Sequence, residues 1–559
     1  MSQTNKDAYK TAEKDIPMHI ATAPDSPELV KKEFALTEDP ASLEQNVEQE
    51  YPTGFKLAGI MFGLACSIFV VALDQTIIAT AIPSISNQFR KINDIGWYGS
   101  AYFLTSCALQ PTWGKIYQTF SVKWFFILAV VLFELGSLIC GVAPSSEVLI
   151  IGRAVAGLGV SGIFSGGLTI IAYSVPLEKR PAYMGIIGAM FGIASVAGPL
   201  LGGVFTEQIT WRWCFYINLP VGAITVVSVV FLVHIKQKRE TRTVMERLRR
   251  IDFLGAACLL PAVICLLLAL QWGGNTYAWS SSKIIGLFVG AGLLLLVFAG
   301  VQWKLQDRGT IPPKIIRNRS VWASCAFGAA FGGSFFIMAY YIPLYFQAIK
   351  GSSAVKSGLQ LLPLMISVVL SSILSGAVIT KVGYYTPILI GGAVFLTIGA
   401  GLVTSWKVNS PIGIWFSYQV IMGLGAGGSF QIPIIAVQTV LDLEDVPVGT
   451  ALISFAQSLG GAVFIAVAQS LFSNTLVKGL HSRIEDPSVV QTVVSSGATG
   501  FRNVVEASYL PVIYDAYIHS LTASYKVALV AGAFSVLFAC CVEFKSVKNK
   551  KGMELAVAA

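Results

Sequence analysis

The chain predicts an all-α polytopic membrane protein, and three observations carry that expectation. From about Phe55 to Val542 it runs as roughly fourteen apolar stretches of about 20 residues each, cut by short polar hinges. Hydrophobic residues make up 54% of the 559 and charged residues only 12%, about half the share of a soluble domain; the mean hydropathy is +0.69. The Lys and Arg behind the net charge of +9 sit in the hinges. So much apolar surface exceeds one soluble core, and in lipid a helix satisfies its own backbone.

The elements follow in order. Residues 1–53 are polar and acid-rich with scattered prolines, which reads as a disordered tail and not as a signal peptide. The first span, Phe55–Ile82, then serves as its own uncleaved signal. Ile95–Tyr117, Trp124–Ala143, Val148–Ile171, the Gly-rich Tyr183–Phe205 and Trp213–Val233 complete a first set of six, residues 54–235. A basic run, Lys236–Arg250, precedes two further spans, Phe253–Gln271 and Ile284–Trp303, and a second basic run, Lys304–Arg319, closes that insert (236–319). The last six occupy 320–543: Val321–Gln347, Ser357–Ile379, Thr386–Thr404, Ile412–Val437, Thr450–Phe472 and Ser524–Val542. Six spans, two, then six is the layout of a duplicated bundle with two inserted helices. Residues 473–523 are amphipathic and too polar to span, and are expected to form an extracellular loop; 544–559 form a tail.

Lys and Arg in the short hinges favour one side roughly three to one, which places both termini in the cytoplasm. The Asn-x-Ser/Thr sequon Asn318-Arg319-Ser320 falls on that side, so no glycan is expected there; a glycan detected by glycosidase shift would reverse the orientation.

Several function classes drop out. The Lys and Arg positions suit topology better than nucleic acid, so no nucleic-acid partner is expected. No phosphate loop of the G-x-x-x-x-G-K-[ST] type occurs, and no catalytic, metal or dinucleotide constellation stands out, so the chain is not expected to be an enzyme or to hold a cofactor. The 9 cysteines show no metal or disulfide spacing. Neither a voltage-sensor Arg ladder nor a K⁺ filter is present. A gradient-driven carrier remains.

Charges inside the spans cost about 2.5–3.5 kcal/mol each at mid-helix. Three stand well inside: Asp74 in the first span, Glu134 in the third and Arg153 in the fourth. At about 1.5 Å per residue they lie roughly 12, 14 and 8 Å below the outer end. Asp74–Arg153 and Glu134–Arg153 pairs are both compatible with those depths, either for helix packing or for proton exchange. An Arg that swings away from a buried carboxylate lets it take up a proton, and its return expels it. The fifth span holds Gly188, Gly192, Gly198, Pro199, Gly202 and Gly203, small residues at spacings that let helices touch, with a proline that bends the helix. It reads as a packed gate surface between two halves.

The segments "LDQTIIATAIP" (Leu73–Pro83), "GRAVAGLGVSG" (Gly152–Gly162) and Gly188–Gly203, in that order, resemble the major facilitator superfamily, specifically its fourteen-spanner drug:proton antiporters. "WRWCFYINLP" (Trp211–Pro220), "GLGAGGSFQIPIIAVQ" (Gly423–Gln438) and "GTALISFAQSLGGAVF" (Gly449–Phe464) look like the fungal toxin and multidrug efflux pumps of that branch. The resemblance implies a major facilitator fold, with Asp74 in the first-helix acidic motif, Arg153 as the fourth-helix Arg of proton transfer, and the Gly188–Gly203 set as the antiporter motif. Two positions depart from the family pattern. Gln118 stands where the loop motif after the second helix has Asp, and Ala156 replaces the Gln of the fourth-helix motif.

By the same analogy the ninth and twelfth spans face the first and fourth across a substrate cavity. The ninth offers Phe336, Tyr340, Tyr341, Tyr345 and Gln347 and the twelfth Gln431. Rings with a few amides suit an apolar organic molecule bearing some polar atoms, although tyrosines near span ends also serve as interfacial anchors. The expectation is a monomeric proton-coupled exporter of drugs, toxins or secondary metabolites, in the plasma membrane or else the vacuolar membrane, with the lipid bilayer, protons and a small organic substrate as partners. Uptake of a siderophore or of a basic amino acid into a vacuole is the alternative.

Overall fold

The computed structural model describes residues 51–91, 94–235, 244–248, 251–274, 276–495 and 497–548. Most of the expected N-terminal tail, much of the Lys236–Arg250 run and the end of the C-terminal tail lie outside the described residues.

Every expected span is helical. The first six are α1 (Gly54–Phe89), α2 (Ile95–Thr119), α3 (Val122–Val142), α4 (Ser146–Ser174), α5 (Arg180–Val204) and α6 (Asn218–Leu232), the last entered through a short turn, Trp213–Tyr216. The insert is α7 (Phe253–Trp272) and α8 (Ser282–Leu305). Next come α9 (Arg319–Ala348), α10 (Leu362–Val382), α11 (Thr386–Val403), the pair α12 (Ile412–Ser429) and α13 (Ile432–Val440), α14 (Val446–His481) and α15 (Leu510–Cys541). Starts and stops have local causes. The side chains of Ser145, Asp252, Ser281, Asn318 and Ser353 accept the first free backbone N–H groups of their helices. Gly383, at φ +96°, ends α10 in the left-handed region that a side chain would strain.

Among the described residues, 13 helical segments are long and apolar enough to cross a membrane. The expected second span is a 25-residue helix but falls short in hydropathy. Its neighbours explain why: α2 packs against α4 on one side and against α14 and α7 on others, so protein surrounds it and polar side chains such as Gln110 are buried at no cost in lipid contact. At the other extreme, only 17% of the most apolar window of α8 is buried, because α8 packs chiefly on α7 and turns Leu293 and Leu296 outward to lipid.

The packing pattern of the first six helices recurs in the last six. In the first half α1 packs on α5 and α6, α4 on α2 and α3, and α3 on α6. In the second, α9 packs on α14 and α15, α12 on α10 and α11, and α11 on α15. The halves meet through two equivalent contacts, α5 with α10 and α2 with α14. Together these make a major facilitator fold of two six-helix bundles with an inserted helix pair.

Two features differ from the sequence expectation. The twelfth span is not continuous: it breaks at Phe430–Gln431, where Pro433 in the first turn of α13 has no N–H to carry the ladder on. Residues 473–523, read from the sequence as an amphipathic extracellular loop, are largely helical. α14 runs on to His481, Pro487–Ser495 and Gly497–Val504 are short helices, and α15 starts at Leu510, 14 residues before the expected Ser524. Their apolar sides are used: Phe501 is buried and stacks on Tyr517 at 5.0 Å.

Candidate functional site

The polar centre of the first half is an ion pair. Arg153 Nη1 on α4 lies 2.6 Å from Asp74 Oδ2 on α1, and neither side chain is more than 1% exposed. Such a pair holds only when its remaining donors and lone pairs are met. Several are: Arg153 Nε donates to the Tyr98 carbonyl at 2.8 Å, its guanidinium lies 4.2 Å from the centre of the Tyr102 ring, and Asp74 Oδ1 accepts from Asn218 Nδ2 at 3.1 Å. Asn218 also donates to Ser137 Oγ at 3.0 Å, so four helices close on one carboxylate. Sequence reasoning missed Asn218, although an amide in an otherwise apolar span was a legible signal.

Glu134 stands apart. Of the two depth-compatible partners for Arg153, only Asp74 is used; Glu134 points toward Gly222 of α6, and among the described residues neither of its carboxyl oxygens has a hydrogen-bond partner.

The glycine-rich fifth span splits into two faces, as 100° per residue dictates. Gly188, Gly192, Pro199 and Gly203 share the face toward the other half. There a Cβ added at Gly192 would stand 2.5 Å from Val369 Cγ2 of α10, and one at Gly188 would meet Ser372 and Gln431. Pro199 packs beside Gly358, and Gly203 beside Val355. Gly198 and Gly202 lie on a second face inside their own half, against Thr76, Ile77 and Thr80 of α1. The expected gate surface is therefore only part of the motif; the rest seats α5 on the helix that carries Asp74.

Between the halves, Phe191 of α5 meets Phe430 at 5.9 Å, and Phe430 in turn touches Phe331 and Phe335 of α9. Gln431 adjoins this ring cluster, 5% exposed, with its Oε1 lacking a partner among the described residues. The break in the twelfth span turns this ring and amide inward; the Pro433 breaker was visible in sequence, but which residues it would aim was not. The other candidates sit elsewhere. Tyr341 is fully buried and donates to Gln469 Oε1 at 2.8 Å, and Tyr345 is fully buried and donates to the Lys407 carbonyl at 2.9 Å while packing on Trp406. Both are spent inside the second half. Phe336 is half-buried against Gly461 of α14, and Gln347 donates to Ser357 Oγ at 2.8 Å.

At the end of the bundle that carries Lys115 and Lys179, here termed the basic end, the halves are tied together. Tyr173 Oη donates to the Leu443 carbonyl, Gln438 Nε2 to the Leu168 carbonyl and the Ala182 N–H to Thr380 Oγ1. Gln118 Nε2 donates to Asp445 Oδ1 at 2.8 Å. The amide that replaces the family's Asp thus still reaches across the halves, as a neutral donor to a charged acceptor. The two halves are therefore in direct contact at this end.

The profile of the Major Facilitator Superfamily matches residues 64–465. The chain is 52% identical over 503 residues to the MFS-type efflux pump MFS1 of Arthroderma benhamiae, covering 89% of this chain and 93% of that one. It is 46% identical over 540 residues to the MFS-type transporter phomT of Diaporthe leptostromiformis (95% and 90%). To the efflux pump aflT of Aspergillus parasiticus it is 48% identical over 502 residues (89% and 98%). Among solved structures it is similar in fold to the proton:xylose symporter XylE, with a TM-score of 0.56 at 13% identity, covering 89% of this chain and 98% of that one.

Proposed function

The chain belongs to the major facilitator superfamily, and from that premise we propose that it is a proton-coupled exporter of amphiphilic organic compounds such as toxins, drugs or secondary metabolites. Its relatives named as efflux pumps, each matched over most of its length, support export. The buried Asp74–Arg153 pair is the observation that carries proton coupling. A proton reaching Asp74 removes the charge that holds Arg153, and with Arg153 displaced the two halves are released to change their contacts. Loss of that proton on the other side lets the pair re-form. The ring cluster of Phe191, Phe331, Phe335 and Phe430 with Gln431 supplies an apolar wall and one amide for cargo between the halves. The second half offers almost no acid in its spans for a cationic cargo, which disfavours the basic amino acid alternative. In this reading the basic end faces the cytoplasm of a cell whose plasma membrane holds the protein as a monomer, and the structure corresponds to the form closed toward the cytoplasm.

The test is transport in vesicles of purified protein with an imposed pH gradient, using a fluorescent amphiphilic dye as probe. Dye movement that follows the gradient and stops when an ionophore collapses it is the expected result. Equal movement without the gradient overturns the reading.

A further inference from the structure

We propose that Glu134 is a second proton-carrying group, separate from the Asp74–Arg153 pair, and that Asn218 is the positioning residue linking the two. This rests on the proton-coupled reading above and adds a site to it.

The argument is one of unmatched atoms on two facing helices. On α3, Glu134 and Ser137 lie one turn apart, about 4.5 Å along the axis. On α6, Asn218 and Gly222 are likewise one turn apart, and α3 and α6 pack on each other. At one level the Asn218 amide donates to Ser137 and Asp74. At the next the Glu134 carboxyl fills the space that a side chain at Gly222 would occupy. Asn218 is fully buried, yet among the described residues its Oδ1 has no donor, and neither has either oxygen of Glu134. An ionised carboxylate only accepts, so it leaves all three oxygens unmatched; a carboxylic acid has one O–H to give, and Asn218 Oδ1 is an acceptor one turn away. A single proton on Glu134 removes an unpaired buried charge and creates one O–H donor on the helix that packs against Asn218.

The arginines on the surrounding elements are already engaged. The titratable or charged groups on the elements around Glu134 include Asp74 on α1, Tyr98 and Tyr102 on α2, Cys140 on α3, Arg153 on α4, and Arg212, Cys214 and Tyr216 at the turn before α6, with Cys107, Lys115, Tyr117, Lys123, Glu147 and Tyr173 elsewhere on the same helices. Arg153 is bound to Asp74, and Arg212 donates to the carbonyls of Gly141 and Ala143. Asn218 holds Asp74 by its N–H and leaves its oxygen free on the helix that packs on α3, so breaking the ion pair frees the amide to move and changes what a protonated Glu134 can donate to. The two carboxyls thus exchange one proton each with water, making and breaking only O–H bonds.

Infrared difference spectroscopy of the purified full chain in lipid, across a pH step, reads the carbonyl stretch of protonated carboxyl groups. The expected result is a band in the native protein that is lost in Glu134→Gln, retained in Asp74→Asn and displaced in Asn218→Ala. A band unchanged in Glu134→Gln, or absent from the native protein, overturns the proposal. Should Glu134→Gln fail to fold, Gly222→Ala, which pushes a methyl group into the carboxyl, is expected to move the same band; an unmoved band overturns it equally. The spectroscopy does not depend on transport. If the band behaves as expected while dye moves without a gradient, the coupled-export reading falls and the Glu134 proton stands; gradient-driven export with an unchanged band sinks this inference alone.

Discussion

Asp74→Asn is expected to reduce gradient-driven export to background while the chain still inserts and is purified as a single species. Asn matches Asp in shape and keeps an oxygen for Arg153 and Asn218, but it cannot take up a proton. The change also leaves the guanidinium of Arg153 at 1% exposure without its counter-charge. Breaking a buried pair from one side costs about 3–5 kcal/mol, so the thermal midpoint of the purified protein is expected to fall markedly. Replacing Arg153 by Gln in the same chain removes the stranded charge and is expected to recover much of that midpoint, with transport still absent. The combination separates a structural ion pair from a coupling one. If the pair only held helices together, the double variant would transport as well as it folds; full gradient-coupled export by Asp74→Asn alone would remove Asp74 from the mechanism.

Gly192→Leu and Gly198→Leu, six residues apart on α5, are expected to fail in different ways. A side chain at Gly192 meets Val369 Cγ2 at 2.5 Å and the Met365 carbonyl at 3.3 Å, both on the opposite half. It therefore penalises the form in which the halves are in contact, by about 1–3 kcal/mol if overpacking here resembles that in cores. A penalty of that size moves a two-state equilibrium by roughly five- to 150-fold. Export is expected to fall accordingly, with the thermal midpoint little changed. A cysteine placed at Gln438, in a chain otherwise free of cysteine, is expected to gain reactivity toward a maleimide applied at the basic end. At Gly198 the added side chain meets Thr76 and the Ile77 backbone nitrogen, at 3.1 Å, inside its own half. That position is expected to lose stability in both forms and to leave the labelling unchanged. Equal labelling in the two variants would mean that the α5–α10 contact does not open and close.

How much of this was legible beforehand differs by element. Span lengths and hinge charges gave the helices and their order, because lipid forces each crossing segment to be apolar and helical regardless of its neighbours. The same rule explains where hydropathy says least. α2 hides among other helices and so need not be apolar, and the segment from Ser473 to Ala523 forms helices on a protein surface where no long apolar run is required. Asp74 and Arg153 were legible because a charge in an apolar span is conspicuous whatever it touches.

Their partners were not. A sequence gives depth along a helix through the rise per residue but gives no rotation of one helix against another. Depth alone allowed Arg153 either carboxylate; packing chose Asp74, and left Glu134 against Gly222. Tyr341 and Tyr345 had the right chemistry for a cargo wall, yet their helix turns them onto Gln469 and the Lys407 carbonyl inside one half. Phe430 instead meets Phe191 between the halves, where the chain breaks beside it. The sequence by itself determined a membrane protein of helices in a given order, with charges buried at known depths, since those follow from the solvent the chain must live in. Only the tertiary structure decided which faces meet, because contact between helices depends on azimuth and on the fit of small residues, and neither is written in any one segment.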